Sequence, residues 1–117
     1  MDKTLTGSDK FRQIARLRSL SDLIFDARLS ALHAAAAARA DSLERLADLE
    51  RPVTATDLPD ISAAEVWMRY QGWADQRRAE INLTLAWQTA EWIEARQAAS
   101  LAFGKLQALK GIAKNVK

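Results

Sequence analysis

Along the second half of the chain one stripe of mostly apolar positions recurs at alternating steps of four and three residues. It comprises Trp67, Gln71, Ala74, Arg78, Ile81, Leu85, Gln88, Trp92, Ala95, Ala99, Ala102, Leu106, Leu109, Ala113 and Val116. A 3.5-residue repeat held for this long is the spacing of a coiled-coil seam. The first half reads less strictly. Phe11, Ile14, Leu17, Leu20, Ile24, Ala27, Ala31, Ala34, Ala38, Leu43, Leu46 and Leu49 follow helical spacing, with a change of phase near the alanine run Ala34 to Ala38. Between the two halves lies the segment Arg51 to Ile61, which holds both prolines, Pro52 and Pro59. Proline removes a backbone donor and clashes with the preceding helical turn, so the chain breaks here.

These signals predict an all-α fold: an antiparallel two-helix coiled-coil hairpin forming one domain over residues 1–117. Helix 1 is expected over about 8–50 with Ser8 as its N-cap, a loop over 51–61, and a longer helix 2 over about 62–115. Ser62 and Glu65 form a capping box, with Ile61 and Val66 as a hydrophobic staple around it. Folding the chain at about residue 56 would bring Ala34 near Arg78 and Trp73, where small side chains make room for large ones. It would also set residue 20 against residue 92 and leave the end of helix 2 overhanging its partner. That overhang would expose Phe103, Leu106, Leu109, Ile112 and Val116, edged by Lys105, Lys110, Lys114 and Lys117, as an apolar stripe free to bind.

All four tryptophans lie on helix 2. Trp67 and Trp92 fall on the seam and are expected in the hairpin core. Trp73 and Trp87 occupy one outward heptad position, which Leu101 continues, with Tyr70 and Leu83 nearby. Aromatic side chains in such a line are typical interface anchors, unless helix 1 wraps far enough to cover them. The candidate protein-interaction residues are therefore Tyr70, Trp73, Trp87, Leu101, Phe103, Leu106, Leu109 and Lys110.

Charge modifies this picture more than composition does. The net charge of +2 conceals a polarity: residues 95–117 hold five basic residues and no acid, and Lys10, Arg12, Arg16 and Arg18 arrive at the same end, whereas seven acids cluster between residues 41 and 65. A charge-polarised hairpin can be oriented by a partner with a complementary field. The absence of cysteine removes disulfides and thiolate metal sites, and the chain has no signal-peptide core and no apolar run long enough to span a bilayer. A cytoplasmic location is expected.

Chemistry-bearing patterns are sparse. His33 is the only histidine, no glycine-rich phosphate loop or nucleophile motif occurs, and Glu91 with Glu94 and Arg77 with Arg78 read as solvated helix faces. The lysines lack interleaved stacking aromatics, which argues against nucleic acid as partner. The expectation is a protein without enzymatic activity, cofactor or metal.

The pattern Trp67-x-x-Tyr70-Gln71-x-x-Ala74, then Ile81, Trp87 to Trp92 and Arg96, ending in Ala99-Ser-Leu-Ala-Phe103-Gly-Lys-Leu106-Gln-Ala-Leu109, resembles the second helix of the FliJ/YscO family. Members are small antiparallel hairpins of flagellar and type III secretion export systems. The resemblance implies a stalk entering the export ATPase ring, contact with the export gate, and escort of export chaperones, with a cytoplasmic location that extends to the periphery of the inner-membrane apparatus. A second reading from another class is a self-assembling structural hairpin, in which the Trp73, Trp87 and Leu101 line builds a dimer or four-helix bundle. The expected oligomeric state is a monomer or weak homodimer.

Overall fold

The computed structural model describes residues 7–51 and 60–115, and the side chains of residues 60–63 lie outside the described set. Two helices account for it: α1, Gly7–Glu50, and α2, Asp60–Asn115, the longer of the two. They pair as an antiparallel hairpin, and no strand occurs among the described residues. Neither helix contains proline, and α1 has only Ile14 and Ile24 as β-branched residues, so little in its sequence opposes helix formation. The expected helix 1 agrees to one residue. The second helix starts two residues earlier than expected, which places Ser62 inside its first turn instead of at the cap. The proline-bearing loop, the reciprocal Ser62–Glu65 cap, the Ile61 staple, Val116 and Lys117 fall outside the described side chains.

Residue contacts group into two units, one of Met1–Ala34 with Trp92–Lys117 and the other of Ala35–Glu91. Within the first, Phe25 packs on Phe103 with ring centroids 5.6 Å apart. Ala99, Ala102 and Leu106 are buried beside them. Leu106 is only 4% exposed, a burial worth about 1.5–3 kcal/mol for a leucine side chain. Within the second, Ala74 and Ile81 are buried, and the helices are joined by polar bonds: Arg39 Nε donates to Thr89 Oγ1 at 3.1 Å, and the Ser42 hydroxyl donates to Gln88 Oε1.

The burial pattern of α2 follows the expected seam residue by residue. From Gln71 to Ala113 every seam position is buried or half-buried. Trp67 is the exception, 46% exposed rather than part of the core. Trp92 is half-buried, with the Arg96 guanidinium 5.3 Å from its ring centroid.

Helix α1 differs from expectation. Its shielded positions are Ile14, Ser21, Phe25, Leu29, Leu32, Ala35, Ala36, Arg39, Ser42, Leu46 and Leu49. Of the apolar positions expected there, Ile14, Leu46 and Leu49 face α2. Phe11, Leu17, Leu20, Ile24, Ala27, Ala31, Ala34, Ala38 and Leu43 are exposed. The expected change of phase is thus two separate faces. The inner face runs on through Ser21, Arg39 and Ser42, which an apolar pattern passes over, and the run from Leu17 to Ala38 points away from α2.

The register also differs. The residue numbers of the pairs Phe25–Phe103, Arg39–Thr89 and Ser42–Gln88 add to 128 or 130, so the pairing is not centred on residue 56. Ala34 groups with Trp92–Lys117 and not with the stretch that holds Arg78 and Trp73. Ile14, Ala15, Arg18 and Ser19 line a groove with Gln107, Lys110, Gly111 and Lys114, so the end of α2 has a helix beside it and does not overhang. Leu49, in the last turn of α1, shares a groove with Tyr70, Trp73 and Ile81, so it is the start of α2 that runs past its partner.

Candidate interaction surfaces

On α2 the outward line is open. Trp73 is 55% exposed, Trp87 68% and Leu101 63%, and Leu83 is exposed between them. A fourteen-residue step returns a helix to nearly the same face, so Trp73 and Trp87, both within Ala35–Glu91, share one direction along their helix. At the start of the line the rings are ordered against each other. Trp67 stacks on Tyr70 at 6.3 Å between centroids, and Tyr70 meets Trp73 at 5.9 Å with a tilted geometry. Steps of three residues make this contact possible, because side chains at i and i+3 are neighbours on a helix. Tyr70 and Trp73 also line a groove of about 370 Å³ with Arg45, Asp48, Leu49, Arg77 and Ile81. Both guanidinium groups at its rim are ion-paired within their own helices, Arg45 with Asp41 and Arg77 with Glu80.

A second groove, about 640 Å³, surrounds Leu101 and is lined by Arg96, Gln97, Ser100, Gly104, Lys105 and Ala108. It is shallow because Ser100, Gly104 and Ala108 are small. A Cβ added at Gly104 would meet nothing within 4 Å, so the recess is open space on the helix surface.

The remaining expected contact residues are placed differently. Phe103 is half covered by Phe25, Leu106 is buried in the helix pair, and Leu109 and Lys110 are half-buried beside the first turns of α1. The pairing of α1 with α2 at this end accounts for the change: these residues face a helix of the same chain. Leu106 in particular is core.

Sequence reasoning missed the outward face of α1 as a surface. Leu17 is 50% exposed, Leu20 53% and Ile24 44%, and the same spacing continues through the exposed Ala27, Ala31, Ala34 and Ala38. The signal was present as an uninterrupted alternation of three and four. It was assigned to the hairpin core because a core is the usual destination of such a stripe.

Titratable groups do not gather. His33 is exposed, and no cluster of three potential metal ligands occurs among the described residues. Arg77 bonds Glu80 at 3.2 Å and Arg78 bonds Asp75 at 2.7 Å. Asp41 with Arg45 on α1, and Asp48 with Arg51 just past its end, make similar pairs. Such exposed pairs add at most a few tenths of a kcal/mol each. Among the described residues no helix is long and apolar enough to cross a membrane.

No family model, curated protein or solved structure matches the chain.

Proposed function

We propose that this chain is a non-enzymatic protein-interaction hairpin, and that it serves as a coiled-coil component of a flagellar or type III export apparatus. The observation that carries the interaction role is the open set Trp73, Leu83 and Trp87 within the Ala35–Glu91 unit. Large apolar side chains left in water at regular spacing cost free energy unless a partner covers them, and tryptophan contributes more to interfaces than its abundance suggests. The export assignment rests on the pattern of α2, from Trp67-x-x-Tyr70-Gln71 to Leu109, that resembles the FliJ/YscO family. In this reading the hairpin acts as stalk of the export ATPase and as adaptor for the gate or for export chaperones, in the cytoplasm or at the inner-membrane periphery. The tryptophan line is then the contact surface. Burial of Leu106 and the pairing of α1 alongside residues 107–114 remove the overhanging end of α2 as a contact.

The test is a titration of the purified chain into a flagellar-type export ATPase, followed by tryptophan fluorescence and ATP turnover. Saturable binding with raised turnover, lost in Trp87→Ala with helicity intact, supports the assignment. Absence of binding for the wild-type chain removes it.

A second reading, the self-assembling hairpin, is favoured by one specific observation: α1 carries its own exposed apolar heptad from Leu17 to Ala38. The two readings use different helices, so a chain that associates with itself through α1 keeps the tryptophan line of α2 free.

A further inference from the structure

We propose that the outward face of α1 is a homodimer interface, in which Leu17, Leu20, Ile24, Ala27, Ala31 and Ala34 pair antiparallel with the same six residues of a second copy. The proposal deepens the self-assembly reading and is independent of the export assignment.

The stripe is asymmetric along its length. Its first three members are large and its last three are alanine, all on one face of a single helix and all exposed. Two such helices laid antiparallel, with their midpoint between Phe25 and Asp26, set Leu17 opposite Ala34, Leu20 opposite Ala31 and Ile24 opposite Ala27. The twofold axis repeats each pair, so every layer joins one large and one small side chain and the helices keep an even separation. Interiors pack best when facing side chains interdigitate in this way. A parallel pairing would stack leucine on leucine at one end and alanine on alanine at the other, leaving a wedge. The match is therefore self-complementary in the sense a twofold interface requires, where the same patch serves both subunits.

The flanks permit the same arrangement. With that midpoint Arg16 comes level with Ala35 of the other copy and Arg28 with Leu23, so neither arginine meets a like charge across the seam. Size is adequate too. Counting Gln13 opposite Ala38 at each end, the paired length is roughly 38 Å at 1.5 Å per residue. A contact band covering half of a helix about 10 Å wide then buries on the order of 600 Å² per chain. The total, about 1,200 Å², reaches the lower edge of specific interfaces. An interface at this lower edge is expected to respond to protein concentration.

The native chain has no cysteine, so single introduced thiols report pairing cleanly. Leu20→Cys and Ala31→Cys chains are mixed in equal amounts and oxidised, while sedimentation equilibrium follows the wild type and Ile24→Glu. The expected result is a concentration-dependent wild-type dimer, and a dissociation constant raised roughly 100-fold in Ile24→Glu with its helical circular dichroism retained. Mixed disulfides between positions 20 and 31 should dominate over 20–20 and 31–31, whose partners lie about 16 Å apart along the axis. A monomeric wild type at all concentrations, or disulfides favouring 20–20 and 31–31, overturns the proposal. So does loss of helicity in Ile24→Glu, because it would place Ile24 in the core of the single chain. None of these readouts involves the export ATPase, so failure of ATPase binding leaves the result intact.

Discussion

Helices α1 and α2 each shield one apolar face, yet α1 leaves a second apolar heptad, from Leu17 to Ala38, exposed. On α2 the buried positions Ala74, Ile81, Ala99, Ala102 and Leu106 all belong to the apolar series. On α1 the one fully buried residue is Ser42, and the apolar series from Leu17 to Ala38 is exposed. The lesson is that periodicity locates a face without naming its occupant. One helix can present two usable faces at once, and the more regularly spaced of them need not be the one its own chain covers.

Substitutions that treat the two faces alike break the comparison most sharply. Leu106→Asp places a charge in the helix pair and should lower stability by about 4 kcal/mol, close to the whole stability of so small a hairpin. Thermal melting followed by circular dichroism would then find little cooperative transition. Leu20→Asp, the same change on the outward face, should move the melting temperature of dilute protein by only a degree or two. Equal damage from both would mean that α1 buries its apolar heptad after all.

Ala74 is 1% exposed, and Ala74→Leu should cost about 1–3 kcal/mol through overpacking, read from the urea midpoint. At the polar layer, Ser42→Ala should cost about 1–2 kcal/mol by leaving the Gln88 amide without its donor, whereas the double change Ser42→Ala with Gln88→Leu should recover most of that loss. A double variant as unstable as the single would show that the layer is held by shape and not by the hydrogen bond. The smallest effect is a gain. At Gly111 an added Cβ meets nothing within 4 Å, so Gly111→Ala should raise stability by about 0.8–1 kcal/mol. A loss at that position would indicate that another chain approaches α2 there.

How far the sequence could be read depends on the residue types at each layer. The hairpin and the seam of α2 were legible because apolar residues hold the 3.5-residue step without a break on either side of Gln71, Arg78 and Gln88. The exposure of Trp73, Trp87 and Leu101 was legible as one of two options, since a wide enough partner helix would have covered them. The inner face of α1 was not legible. Ser21, Arg39 and Ser42 interrupt it, and a hydroxyl or guanidinium reads as a surface group until its bonding partner, Gln88 or Thr89, is brought opposite. The register failed for a related reason. Two prolines locate the break in the chain, but side-chain layers such as Phe25 on Phe103 decide which residues stand level, and a fold point at residue 56 leaves Leu106 and Leu109 on open surface where the structure pairs them with α1.

The order of contacts along the hairpin also bears on how it forms. Ser42 and Gln88 are separated by 46 residues and Arg39 and Thr89 by 50, whereas Phe25 and Phe103 enclose a longer stretch of chain. Closing the shorter loop costs less entropy, and each layer added beyond it lengthens the loop only slightly. By loop length alone, then, the polar layer closes at a lower entropic cost than the phenylalanine pair. In that order of closure, weakening Ser42 or Gln88 slows folding, while weakening Phe25 or Phe103 mainly speeds unfolding.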